Sequence, residues 1–308
     1  MNGLEVRNPM KTQQNLPHRP WMMIAAMSLL LASCGSINKP SASSTTEKPR
    51  AIVGLALGGG ASKGFAHIGV IKVLQENHIP ISVVTGTSAG AIVGSMYASG
   101  MGPDRMSLEA QILGKTDLVD PVISTTGFIR GQKLQNYINQ KVGNRPIQAF
   151  PKKFAAVATE FGSGRMAVFN RGDAGQAVRA SASIPNVFQP TTINGKRYVD
   201  GGLVAPVPVS AARRLGANVV IAVDISAKPA KLSSTGFFSY LDQSLNIMST
   251  AALHNELKQA NVVIRPQVQR LGSVGGFDEK EQAIQLGEQA ARAALPQIRA
   301  ALSRYRTN

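Results

Sequence analysis

From Ala51 onward the chain repeats one pattern: a short aliphatic run, a turn rich in glycine, and a stretch with apolar side chains every three or four residues. Strands that alternate with helices of this kind run parallel in one sheet and are covered by those helices, which sets the class as α/β. The spacing predicts strands over 52–57, 81–85, 154–160, 165–169, 198–199, 219–223 and 262–264. It predicts helices over 65–77, 89–99, 103–114, 131–141, 174–183, 240–260 and 278–303, the last patterned by Ile284, Leu286, Ala291, Leu295, Ile298 and Leu302. No internal repeat is visible, and residues 51–308 read as one domain.

Composition narrows the class of partner. The 308 residues carry 33 Lys and Arg against 17 Asp and Glu, a net charge of +16, yet only 16% are charged. That is below the roughly 25% of an average soluble domain, and with 44% hydrophobic residues it excludes a disordered polyelectrolyte and argues against a nucleic-acid arm. The single cysteine, Cys34, excludes a disulfide within the chain and any Cys-based metal site. No calcium loop is present, so neither a metal nor another cofactor is expected.

Residues 21–32 form a nearly unbroken apolar run after Lys11 and Arg19. The run is shorter than the ~20 residues that span a bilayer and fits the apolar region of a signal peptide. It ends in Leu31-Ala32-Ser33-Cys34, which resembles the lipobox of bacterial lipoproteins. The resemblance implies cleavage after residue 33, lipidation of Cys34, and a Ser/Thr/Pro-rich tether over 34–50. The long lead carrying Glu5 points to translation from Met10, and Gly35 points to the periplasmic side of an outer membrane. Removal of residues 1–33 leaves a net charge of +14, of which +11 lies in 130–231, where 15 basic residues face 4 acidic ones. This basic segment is expected to form a face near the site and to meet anionic headgroups.

Two motifs carry chemistry. Gly86-Thr87-Ser88-Ala89-Gly90 follows a predicted strand and opens a predicted helix, the setting of a nucleophile elbow with Gly86 and Gly90 permitting the tight turn. Ser88 then sits at a helix N-terminus, where unpaired N–H groups favour a developing anion. Gly58-Gly59-Gly60-Ala61-Ser62-Lys63-Gly64 also lies between strand and helix. It lacks the G-K-[ST] of a phosphate-binding loop, and Lys63 breaks the dinucleotide register. Beside a serine elbow, the amides of Gly58, Gly59, Gly60 and Ala61 suit an oxyanion hole. An activated serine needs a base. Asp200-Gly201-Gly202 leaves Asp200 unobstructed after a short strand, whereas His67 follows the glycine loop, His78 lies in a turn and His254 lies in a predicted helix.

Together with His67-Ile68-Gly69-Val70 and the segment 179–185, these motifs resemble the patatin-like phospholipase family, in the bacterial branch related to neuropathy target esterase. The resemblance runs from about residue 52 to 224. It implies a three-layer sandwich with helices on both faces of the sheet, a Ser88–Asp200 dyad, and hydrolysis of phospholipid or lysophospholipid esters. Lys63 stands where many members carry Arg; it is the candidate contact for a substrate phosphate, as a point charge. Two other readings stand beside it. An α/β-hydrolase triad of Ser88, Asp224 and His254 has the right chain order, and a non-catalytic lipoprotein would bind lipid or a partner through its basic face. Residues 101–130 and 226–245 are candidates for a lid.

Overall fold

The computed structural model describes residues 48–114, 116–226, 237–269, 271 and 278–305. Cys34, the apolar run and all but the last three residues of the tether lie outside them, as do residues 227–236 of the lid candidate 226–245.

Eight strands form one mixed sheet: β1 (Val53–Leu57), β2 (Ile81–Thr87), β3 (Lys153–Glu160), β4 (Met166–Phe169), β5 (Thr191–Ile193), β6 (Lys196–Asp200), β7 (Val219–Val223) and β8 (Val262–Ile264). The order is β5-β6-β3-β2-β1-β7-β8, with β4 paired to β3. The block β3-β2-β1-β7-β8 is parallel, while β4, β5 and β6 join antiparallel.

Parallel strands are covered on both faces, and the two cores show this residue by residue. On β1 and β7, Val53, Leu55, Leu57, Val219, Ile221 and Val223 enter one cluster with the helices α1 (Ala66–Glu76), α2 (Ala89–Ala98) and α8 (Lys280–Leu302). The alternate residues Ala56, Val220 and Ala222 enter a second cluster with α6 (Val209–Arg214) and with Leu253 and Leu257 of α7 (Phe237–Leu257). The two-residue period of each strand thus places its side chains in opposite layers, giving the expected three-layer sandwich. The helices α3 (Pro103–Ile112), α4 (Gln132–Lys141) and α5 (Ala174–Ser181) complete the described set.

Two elements escape the sequence pattern. α6 has only six residues and no room for a period. β5 and the longer β6 form a hairpin around Asn194-Gly195, both at positive φ (49° and 76°), the dipeptide that favours a two-residue turn.

Candidate active site

Ser88 occupies the turn between β2 and α2 with φ 53° and ψ −121°. Such a conformation costs about 1–3 kcal/mol for a residue with a Cβ and persists only where its surroundings impose it. The surroundings do so here. A Cβ at Gly86 would lie 2.3 Å from the carbonyl oxygen of Gly90, and one at Gly90 would lie 2.1 Å from that of Leu57. The Ser88 amide donates to Ser181 Oγ (2.9 Å), and Ser181 Oγ donates in turn to the Val157 carbonyl on β3. Thr85 and Thr87 fasten the end of β2 to the carbonyls of Pro208 and Ala205 (2.9 and 2.8 Å).

Asp200 reaches Ser88 through the sheet. Ala156 pairs with Gly86 of β2 on one side and Phe169 of β4 on the other; Ala158 pairs with Asp200 of β6 and Ala167 of β4. A strand has two edges, so β2 and β6 share the edge opposite β4. β2 runs up that edge to Thr87, opposite Val157, and β6 runs down it to Asp200, opposite Ala158. Their C-terminal ends meet head to head, which sets the residue after β2 beside the last residue of β6. Gly201 fits under this junction because a Cβ there would lie 2.1 Å from the Val157 carbonyl.

The Asp200 backbone is fixed by Ser183 O, which accepts its amide (2.8 Å), and by Thr159 Oγ1, which donates to its carbonyl (2.8 Å). Its carboxylate accepts the Gly202 amide (2.7 Å). Burial raises the carboxyl from 3.8 to about 6, against the opposing hydrogen bonds from the Gly202 amide and the Ser88 side chain. Ser88 and Asp200 are both buried. A buried carboxylate that titrates near pH 6 and is hydrogen-bonded to a strained serine can accept a proton from it at neutral pH.

The glycine loop corrects one expectation. The amides of Gly58 and Gly59 are already bonded to the carbonyls of Val223 and Pro206 (both 3.0 Å), so neither is available to an oxyanion. They shape the loop instead, and the amides of Gly60 and Ala61 are the ones that meet no acceptor among the described residues. Ala61 itself has φ 50°, a turn that re-aims the chain at this point.

His67 holds the loop from beneath. It is fully buried, and its Nε2 lies 2.8 Å from the Gly58 carbonyl. Burial pushes its ring down to about 4, only partly offset by that hydrogen bond. The ring is therefore neutral at neutral pH, with the proton on Nε2 donated to Gly58 and Nδ1 without a partner. His67 and Ser181 lie in segments that the sequence motifs include without assigning them a role, and their contacts make them positioning residues. Their position two residues into the helix after the glycine loop and inside the segment 179–185 was the available signal.

Three further expectations change. Lys63 is 3% exposed and has partners within the chain, so it is no free surface charge poised for a phosphate. Asp224 accepts both the amide and the hydroxyl of Ser226 (3.0 and 2.6 Å) and pairs with Arg265 (3.4 Å), while His254 is exposed on α7; the Ser88–Asp224–His254 triad is not assembled. Part of the basic segment stands away from the site. Lys152 and Lys153 stand at the start of β3 and Arg213 and Arg214 just before β7, at the opposite end of the sheet from Ser88, where a cavity of about 390 Å³ is lined by Lys152, Lys153 and Arg214. Parallel strands send their N-terminal ends to one pole and their C-terminal ends, with Ser88, to the other.

Residues 55–213, more than half of the chain, match the family model described as patatin-like phospholipase. The chain belongs to the patatin-like phospholipase family. It is 36% identical over 180 residues to an NTE family protein of Mycobacterium tuberculosis, covering 58% of this chain and 50% of that one. It is 34% identical over 182 residues to the lysophospholipase NTE1 of Yarrowia lipolytica, covering 57% of this chain and 13% of the yeast protein. The matched region is thus half or less of these relatives. Among solved structures, VipD from Legionella pneumophila has the same fold (TM-score 0.55, 14% identity, 82% of this chain and 67% of that one). The elbow, the glycine loop and Asp200 all fall within the matched residues.

Proposed function

We propose that the protein cleaves the carboxylic esters of phospholipids or lysophospholipids through a Ser88–Asp200 dyad. The observation that carries this reading is the meeting of the C-terminal ends of β2 and β6 on one edge of β3, which sets the strained Ser88 beside the buried Asp200. Asp200 accepts the Ser88 hydroxyl proton as Oγ attacks the ester carbonyl, and the amides of Gly60 and Ala61 hold the oxyanion. The proton passes to the leaving alcohol, and water activated by Asp200 releases the fatty acid from the acyl-enzyme. Loss of one oxyanion donor typically costs about 3–4 kcal/mol in the transition state. The yeast relative's name supports a lysophospholipid as one substrate.

The test is lipid profiling by mass spectrometry against a phospholipid panel, with Ser88→Ala and Asp200→Asn as controls. Release of fatty acid by the wild type and by neither variant is expected; full activity of Asp200→Asn would overturn the dyad. In the same reading Cys34 carries a lipid anchor on the periplasmic side of an outer membrane. Labelling with a palmitate analogue that is lost in Cys34→Ala is the expected result.

A further inference from the structure

Six of the nine large hydrophobic side chains exposed among the described residues flank the site: Ile112, Ile123, Phe128, Tyr240, Ile247 and Met248. All are more than half exposed, and Ile123 is as open as in an extended peptide (104%). Three contacts place the segments that carry them at the C-terminal pole of the sheet. Lys280 Nζ donates to the carbonyl of Ala110 (2.8 Å) near the end of α3 and lies over the ring of Phe65, where the turn after the glycine loop ends. Phe128 and Ile129 donate their amides to Val187 (both 2.9 Å), in the segment that leads to β5 and β6 and so to Asp200. α7 packs against the Gly201–Leu203 turn that follows Asp200.

These side chains come from both helical layers, Ile112 from the α1–α8 side and Tyr240, Ile247 and Met248 from the α6 side, and exposed apolar surface gathered at one end of a folded protein marks an interaction site. Charge indicates what kind. Residues 103–129 hold two basic and four acidic side chains, and α7 holds Asp242 and Glu256 with no Lys or Arg. The cations Lys152, Lys153 and Arg214 are at the other pole. The segments that carry the apolar side chains are thus net acidic, so their own charge does not draw them to anionic headgroups, whereas insertion of the apolar side chains can seat them. Among the described residues no helix is long and apolar enough to cross a bilayer, so the contact is one of seating and not of spanning.

We propose that this apolar rim seats the site end of the protein on a lipid surface by inserting Ile112, Ile123 and Ile247 below the headgroups, independently of lipid charge. The occupant follows from the site, and to that extent the inference rests on the lipid esterase reading. Ser88 is buried at the pole that carries these side chains, and that is the end a water-insoluble ester leaving an aggregate has to approach.

The experiment uses the full chain with Cys34→Ser and one cysteine introduced at a time, Ile112→Cys, Ile247→Cys or Lys153→Cys, each labelled with an environment-sensitive fluorophore. Phosphatidylcholine vesicles are expected to blue-shift the probes at 112 and 247 and leave the probe at 153 unchanged, with the same result in 0.5 M salt. A shift at 153 alone, or shifts that need anionic lipid, would overturn the proposal in favour of the basic pole. Shifts at 112 and 247 that depend on protein concentration without vesicles would overturn it in favour of a second copy. In parallel, the double variant Ile112→Ser/Ile247→Ser should lose at least tenfold in kcat/KM on vesicle ester and keep its rate on a soluble short-chain ester. If the wild type hydrolyses neither ester, the esterase reading fails while the probe shifts still decide the seating.

Discussion

Asp200→Asn separates the chemistry of the site from its cost to the fold. The carboxyl is raised from 3.8 to about 6, chiefly by burial. A raised folded-state value means that the native protein holds this proton more tightly than the unfolded chain. Stability from the protonated form is complete below about pH 3.8 and is lost as pH rises through about 6. The difference of roughly two units corresponds to about 3 kcal/mol by which the ionised carboxylate weakens the fold at neutral pH. Asparagine keeps an oxygen for the Gly202 amide and carries no charge. Asp200→Asn should therefore be more stable than the wild type by about 3 kcal/mol at pH 8 and by less than about 1 kcal/mol at pH 4. For a folded unit of this size the pH 8 gap corresponds to a rise in Tm of roughly 6–12 °C. Thermal unfolding of both proteins followed by fluorescence across this range is the assay. The wild-type kcat/KM should climb with pH to a plateau with its half-point near 6, while the variant stays inactive throughout. A stability gap that does not change with pH, or a variant less stable at pH 8, would refute the account of Asp200 as a desolvated carboxylate.

Gly86→Ala and Gly90→Ala each drive a methyl into backbone atoms at 2.3 and 2.1 Å; each should lose more than about 3 kcal/mol of stability, beyond ordinary overpacking, read as loss of soluble yield and Tm. Gly94→Ala, whose nearest neighbour is a side-chain atom of Val84 at 3.2 Å, should remain folded as the control. Ser181→Ala strips partners from the Ser88 amide and the Val157 carbonyl and should cost about 1–3 kcal/mol of stability, with kcat falling more than KM rises in a short-chain ester assay. His254→Ala should leave ester hydrolysis within twofold of the wild type, because that side chain is exposed on α7; abolished activity would revive a histidine base.

The sequence pattern carried the local units and stopped where contacts became non-local. Gly86 to Gly90 reads as an elbow because strand, turn and helix are consecutive, and the steric reason for both glycines lies within a few residues of them or on the next strand. Which amides of the glycine loop remain available is decided by the carbonyls of Pro206 and Val223, about 150 residues further on, and no spacing rule reaches that far. The same holds for Lys63, whose charge suggested a ligand and whose burial removes it from the surface. The basic segment 130–231 is continuous in sequence but alternates between the two poles as the chain crosses the sheet. Asn194-Gly195 is the one hairpin signal that was local and still went unread, because β5 is only three residues long.

In the proposed dyad, the head-to-head meeting of β2 and β6 is what sets the base beside its serine without a histidine. In a triad an imidazole bridges the distance between a nucleophile and an acid carried on separate loops. Here one strand serves as the common template: Val157 registers Thr87 and Ala158 registers Asp200, so consecutive residues of β3 set the separation through backbone hydrogen bonds. Those bonds involve no side chain, which makes the spacing insensitive to most substitutions on β3. A carboxylate so placed still has to be basic enough to take a serine proton, and burial at the sheet junction raises it toward neutrality. The arrangement that positions Asp200 is also the one that desolvates it, so geometry and basicity arise from the same packing.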